Sequence, residues 1–204
     1  MTRIPAHKRL RDLPEAFTTK TLAAHLGGDE KLASVYLFRW RKEGLISSIG
    51  PRAGLHFNLI RNPNAAEDLR MEAIAYLFPG AMIAGVSAVH AFGWTTQIPR
   101  SLEILSPSRR SFPEIDGCTI AARSLTWFRT ARSHIARTGP VPTVAPAFAL
   151  ADLWAAGGWR PDPDDIEWDL VDSAALESAF ALFKQDIPDA WRSEMTDAQL
   201  HFTL

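Results

Sequence analysis

Between Phe17 and Ile60 the chain sets short apolar-periodic stretches between glycines, in an order that few folds can use. Thr18 is placed to cap a helix running through Leu22, Ala23 and Leu26, and Gly27-Gly28 breaks it. Asp29-Glu30 put negative charge at the start of a second helix, where the helix dipole favours it, and Gly44 suits its end after about Glu43. Leu45 to Ile49 and Leu55 to Ile60 read as two strands joined by Gly50-Pro51-Arg52-Ala53-Gly54. In the second strand Leu55, Phe57 and Leu59 alternate with His56 and Asn58, the period-two pattern of a half-buried strand.

The second helix has two unlike faces. At about 100° per residue, Ala33, Tyr36, Leu37 and Trp40 fall together as a core stripe. The opposite side collects Lys31, Val35, Phe38, Arg39 and Lys42, with Ser34 beside them. Cations interleaved with apolar residues make an odd face to show water. On a helix lying in the DNA major groove the mixture makes sense, because Arg and Lys reach guanine edges or phosphates and apolar groups meet thymine methyls. Helix, tight turn, helix and hairpin is the layout of a winged helix-turn-helix, with double-stranded DNA as its expected partner. Lys31, Ser34, Val35, Phe38, Arg39 and Lys42 are the candidate groove residues, and Arg52 at the hairpin tip is the candidate wing contact. Lys8, Arg9, Arg11 and Lys20 are candidate backbone contacts. The basic N-terminal segment, from Arg3 to Arg11, reads equally well as a solvated first helix. Helical hairpins with basic surfaces also occur in proteins that never meet DNA, and Phe38 would then pack against another part of the chain.

Charge geography supports the nucleic-acid reading. The net charge of −1 over 204 residues conceals an asymmetry. Residues 1–62 hold 11 Lys/Arg against 5 Asp/Glu, whereas residues 151–204 hold 3 against 12. The basic part therefore coincides with the proposed DNA-binding region, and the overall balance says little about partners. Cys118 is the only cysteine, which excludes an intrachain disulfide and a multi-cysteine zinc site. The apolar runs are too short for a membrane span, and the first residues lack the apolar core of a signal peptide. A cytoplasmic protein, with no membrane partner, is the simplest expectation.

Beyond the hairpin, Arg61-Asn62-Pro63-Asn64 is a turn cluster that divides the chain into 1–62 and 63–204. Asn64 is placed to cap a helix from Ala65 to Phe78, and a second helix is expected from Ser87 to Phe92. Ser101 to Ser106 and Cys118 to Leu125 read as strands separated by a loop from Pro107 to Gly117. Pro146 suits the first turn of an Ala-rich helix ended by Gly157-Gly158. Long amphipathic helices are expected over Asp164 to Lys184 and Ala190 to Leu200. The expected fold is α+β: a winged helix-turn-helix, then a domain with a small sheet and an acidic helical C-terminal part, about 146–204.

The stretch from Phe78 to Pro107 contains Gly85-Val86-Ser87-Ala88-Val89-His90-Ala91-Phe92-Gly93-Trp94-Thr95-Thr96-Gln97-Ile98-Pro99, then Leu102-Glu103-Ile104-Leu105-Ser106-Pro107. It resembles the AbiEi antitoxin family of type IV (AbiE) toxin–antitoxin and abortive-infection systems. There a small-residue stretch leads to a His or aromatic, a Gly and Thr-x-Gln-x-Pro, then a hydrophobic strand and a basic loop, matched by Ser108-Arg109-Arg110. The resemblance covers roughly residues 15 to 130. It implies a winged helix-turn-helix that binds inverted repeats at its own promoter and represses its operon. It also implies, within a phage-defence system, that the remainder carries antitoxin activity against a co-encoded nucleotidyltransferase-like toxin, with or without direct contact. It supplies no catalytic residues. A generic winged-helix regulator, or a protein-interaction module without a toxin, remains the alternative.

Enzymatic readings are weak, and neither a cofactor nor a metal is expected. Gly85-Val86-Ser87-Ala88-Val89 begins like a nucleophile elbow but lacks the final glycine, and a helix-capping Ser87 with a half-buried His90 explains the pair more simply. A restriction-like nuclease needs clustered carboxylates with a lysine. After Lys42 the only lysine is Lys184, and neither Glu103 nor Glu114 is followed two residues later by one. That leaves at most a degenerate form of such a fold. The acids from Asp162 to Asp172 lack the spacing of a calcium loop and suit the first turns of a helix. The acidic C-terminal part could cover a basic surface on a toxin or fold back on the chain's own basic half, or its acids are solvated and its tryptophans form a core.

Overall fold

Two side-chain caps set the local structure of the N-terminal region. The structure, a computed structural model, describes residues 6–107 and 113–201, so the readings placed on Arg3 and on Ser108-Arg109-Arg110 lie outside the described residues. Helix α1 (Ala6–Arg11) precedes a short strand, β1 (Ala16–Thr18), which runs straight into α2 (Thr19–His25). The Thr18 hydroxyl accepts from the Thr21 amide while the Thr18 amide donates to the Thr21 hydroxyl, so two orphan donors are satisfied reciprocally. Gly27 and Gly28, at φ 77° and 92°, end this helix in a conformation that side chains resist. Asp29 then accepts from the Leu32 amide at 2.8 Å and starts α3 (Glu30–Lys42).

Strands β2 (Ile46–Ser48) and β3 (Leu55–Asn58) form an antiparallel hairpin. β1 pairs with the far edge of β3, which gives a three-stranded sheet in the order β1-β3-β2. The alternation in the sequence predicts a half-solvated β3, yet all four of its residues are buried. β3 is the central strand, and its polar residues have internal partners: Asn58 Nδ2 donates to the Leu10 carbonyl at 2.6 Å. Leu10, Leu13, Phe17, Leu22, Ala33, Leu37, Trp40 and Ile46 form one apolar cluster between the helices and this sheet.

The chain divides into two compact units, Met1–Pro79 with Ser111–Asp116, and Gly80–Arg110 with Gly117–Leu204. The boundary thus follows Pro79 and not the turn at Asn62. That turn is stitched into the first unit, because Asn62 Nδ2 donates to Glu15 at 3.3 Å, Arg61 donates to the Leu13 carbonyl at 3.3 Å, and Ala65 is fully buried. The expected single helix from Ala65 is two, α4 (Ala65–Asp68) and α5 (Arg70–Leu77). Asn64 makes no side-chain cap; its amide donates to Asn62 Oδ1 instead.

The second unit begins with β4 (Met82–Ile83), α6 (Gly85–Ala91), β5 (Leu102–Ser106) and β6 (Cys118–Ala122). It continues through α7 (Leu125–Ala131), β7 (Ile135–Arg137), β8 (Thr143–Val144), α8 (Pro146–Ala155), α9 (Ser173–Leu182) and α10 (Asp189–His201). The mixed sheet runs β6-β5-β4-β8-β7, with β5 parallel to β6 and β4 parallel to β8. Parallel neighbours cannot share a tight hairpin, which accounts for the long connection between β5 and β6. The molecule is therefore mixed α and β with two sheets, as the α+β expectation required.

Two local readings change. Ser87 lies inside α6 rather than capping it: its hydroxyl donates to the Ser101 carbonyl and accepts from the Glu103 amide at 2.9 Å. Glu103 reaches across from β5 to accept from the Val86 amide at 2.6 Å, so the helix cap comes from a strand. A Cβ on Gly85, at φ 62°, would collide with that carboxylate. The long helix expected from Asp164 is replaced by single 3₁₀ turns at Pro163–Asp165 and Trp168–Leu170, followed by α9. Asp162 and Asp165 cap each other's turn, and Asp172 accepts from the Ala175 amide at 3.0 Å to start α9. Aspartates compete with continuous helix by bonding nearby amides, so a dense run of them makes caps instead.

α8 forms the centre of the second core. Its residues Ala147 to Asp152 are all buried, and Phe148 and Leu150 fully so. Trp191 on α10 meets the rings of Trp154, Trp168 and Phe180 at 5.1, 5.8 and 5.9 Å. Asp152 is the charged exception within α8. It accepts from Trp127 Nε1 at 2.8 Å and pairs with Arg123 at 3.2 Å. Asp152→Ala should cost about 2–4 kcal/mol, because it strands a buried indole N–H and a partly buried guanidinium. Urea unfolding of the variant tests this, and a loss under about 0.5 kcal/mol would mean that water replaces the carboxylate freely.

Candidate nucleic-acid interface

Burial of one side of α3 dictates what its other side presents. Ala33, Leu37 and Trp40 are buried and Tyr36 is half-buried, as the core stripe required. Lys31, Ser34, Val35, Phe38, Arg39 and Lys42 are all exposed, Val35 at 45% and Phe38 at 69%. Among the described residues, Phe38 is therefore not packed into a core. Ser34 spends its hydroxyl on the Glu30 carbonyl at 2.9 Å.

The hairpin turn places Arg52 at its exposed tip with φ 59°, a left-handed conformation uncommon outside glycine. The turn is anchored at both ends. The Thr19 amide donates to the Gly54 carbonyl at 3.1 Å, and the Asp116 amide donates to the Ile49 carbonyl at 3.1 Å. A Cβ on Gly50 would run into the Glu114 backbone, so that position tolerates only glycine. Between α3 and the hairpin lies an open groove of about 360 Å³, lined by Thr19, Ser34, Leu37, Phe38, Arg41, Ser48, Gly50, Arg52, Gly54 and His56.

The groove brings together three of the expected residues, Ser34, Phe38 and Arg52. Lys31, Val35, Arg39 and Lys42 continue the exposed face of α3 outside it. Lys8, Arg11 and Lys20 are exposed on α1 and α2. Arg9 is half-buried, with its guanidinium 5.2 Å above the Tyr36 ring, so it helps to hold α1 on α3.

Four further groove residues, which no sequence motif marks as site residues, form one hydrogen-bonded chain. Arg41 Nη2 donates to Ser48 Oγ at 3.0 Å, Ser48 Oγ lies 2.9 Å from His56 Nδ1, and His56 Nε2 lies 3.2 Å from Thr19 Oγ1. A single proton arrangement satisfies every member: Ser48 donates to Nδ1, and protonated Nε2 donates to Thr19. The chain thus ties α3, both hairpin strands and α2 into one pose. Its signal in the sequence is the hairpin register. Every β2–β3 pair is equidistant from Arg52, which sets Ser48 opposite His56. Arg41 follows Phe38 by three residues, one helical turn on.

Among the described residues no three or more His, Cys, Asp or Glu cluster as metal ligands, and no helix is long and apolar enough to cross a membrane. No family model matches the chain, and no curated protein matches it. The RV2827C protein from Mycobacterium tuberculosis has a similar solved structure, with a TM-score of 0.57 at 17% identity over 96% of this chain and 77% of that one. The likeness is one of fold.

Burial, reinforced by the Arg41 charge, pushes the His56 pKa from 6.5 down to about 4. The folded protein thus refuses a proton that the unfolded chain accepts. The stability this site contributes is complete above pH 6.5 and is lost as the pH falls towards 4. Across that window the wild type should lose on the order of 2–3 kcal/mol more than His56→Gln. Parallel unfolding free energies for the two proteins check this, and equal losses in both would show that His56 titrates normally.

Proposed function

We propose that this chain is a sequence-specific DNA-binding antitoxin that represses its own operon, and that its first unit is a winged helix-turn-helix. The observation that carries the DNA half is the solvent face of α3. Lys31, Arg39 and Lys42 project from it around Val35 and Phe38, beside an open groove bordered by an arginine-tipped hairpin. A polyanion with apolar groups on its groove floor matches that surface in charge and in shape. The element order α2, glycine turn, α3, β2 and β3, with β1 as third strand, supports the same reading.

In this reading α3 enters the major groove, and Lys31, Ser34, Val35, Phe38, Arg39 and Lys42 meet bases or flanking phosphates. Arg52 contacts the backbone or minor groove, and Lys8, Arg11 and Lys20 add phosphate contacts. The antitoxin half rests on the sequence resemblance through Ser87 to Pro99. It assigns the chain a non-enzymatic role against a co-encoded nucleotidyltransferase-like toxin.

The test is a mobility shift of the purified chain on the DNA upstream of its own coding sequence, against random duplex. Arg39→Ala should weaken specific binding by ~1–3 kcal/mol and alter sequence preference. Arg52→Ala should weaken all duplexes alike and reduce the slope of log affinity against log salt by about 1. Wild-type affinity in both variants would remove α3 and the hairpin from the interface. Growth rescue on co-expression with a nucleotidyltransferase encoded beside this chain tests the antitoxin half separately, and the lack of such a neighbour would count against it.

A further inference from the structure

Of the nine exposed large apolar side chains among the described residues, three are on α3: Leu32, Val35 and Phe38. That concentration on one thirteen-residue helix needs a cause. At 3.6 residues per turn, the pole opposite Ala33 and Trp40 lies between Lys31 and Lys42, with Val35 and Phe38 about 30° to either side of it. Along the part of α3 farthest from the core the middle is therefore apolar, with Lys31 before it and Lys42 after it.

The major groove is built the complementary way. Phosphates line its rims, and the only apolar group on its floor is the thymine 5-methyl. A three-residue step along the helix advances about 4.5 Å, against a base-pair rise of about 3.4 Å, so Val35 and Phe38 are spaced to meet neighbouring pairs. The geometry points to direct reading of thymine methyl groups: Phe38 and Val35 each pack on the 5-methyl of a thymine at neighbouring positions of the site. Lys31, Arg39 and Lys42 then hold the surrounding phosphates or guanine edges. The inference rests on the DNA-binding reading above and adds to it the base that the apolar pair selects.

Deoxyuridine in place of thymidine isolates the contact, because it keeps every hydrogen-bonding group and removes only the methyl. The full chain is used to select duplexes from a random-sequence pool, and each thymine in the recovered site is replaced singly by uracil. One or two positions per half-site should each bind about fourfold more weakly, the contribution of one buried methyl. Phe38→Ala should abolish that discrimination at one of them. The exposed position of Phe38 protects the fold, which thermal unfolding of the variant checks. If the wild type binds its selected duplex equally well with thymine or uracil everywhere, the methyl reading is wrong while the DNA-binding reading stands. Phe38→Ala binding like wild type would overturn the methyl reading as well. A chain that selects no duplex overturns both readings.

Discussion

Which way α3 is turned decides what the first unit can do, and Trp40 decides which way α3 is turned. Trp40 is 1% exposed, in line with buried Ala33 and Leu37. Each large apolar side chain contributes roughly 1.5–3 kcal/mol by leaving water. Turning the helix by one residue, about 100°, would expose this stripe and drive Lys31 or Lys42 towards an apolar cluster. Exposure of Val35 and Phe38 is then a consequence of a stronger demand on the opposite side. The chain could still have carried polar residues there at no cost to the core. That it carries a phenylalanine is what makes the face informative.

A fixed helix alone would not fix the groove beside it. The hairpin needs its own tether, and the Arg41–Ser48–His56–Thr19 chain supplies it with groups that are polar but nearly all internally satisfied. The neutral imidazole is essential to that arrangement, since a proton on Nδ1 would oppose the donation from Ser48 and place positive charge near Arg41. Arg41 uses one nitrogen in the network, which orients its guanidinium along the groove wall. Any rigid partner docking on this surface would gain from such preorganisation, because less conformational freedom is lost on binding.

What is legible in the sequence follows from local chemistry. Thr18, Asp29 and the Gly27-Gly28 pair act on their immediate neighbours, and α2 and α3 lie where those signals put them. The exposed face of α3 is equally legible, because helical periodicity alone separates Phe38 from Trp40. β1 is not legible: three residues carry no periodicity, and its pairing with β3 spans about forty residues of chain. Burial of His56 and Asn58 involves residues on either side of that hidden strand, since Asn58 Nδ2 donates to the Leu10 and Leu13 carbonyls just before it and His56 Nε2 lies 3.2 Å from Thr19 Oγ1 just after it. The boundary after Pro79 is hidden for a similar reason. Asn62 and Pro63 look like a linker until Glu15 and Leu13, distant in sequence, bond to Asn62 and Arg61.

The Ser87-to-Pro99 segment acquires a physical meaning that bears on how far a resemblance there can reach. Ser87 ties α6 to β5, and His90 Nδ1 lies 3.3 Å from the Thr95 carbonyl. Gly93, at φ 74°, closes the helix. Thr95 Oγ1 donates to the Asp165 carbonyl at 2.7 Å, and Gln97 Nε2 donates to the Asp165 carboxylate at 2.7 Å. Thr95 also bridges to Ile166. Ser87, His90, Thr95 and Gln97 therefore each have a structural task within the second unit, in bonds to its own backbone and to Asp165. A motif of this kind marks an architecture more than a chemistry. The face of α3 differs in kind: Val35 and Phe38 are exposed there at 45% and 69%, so its apolar side chains are not committed to a core as the polar groups of the segment are committed to internal bonds.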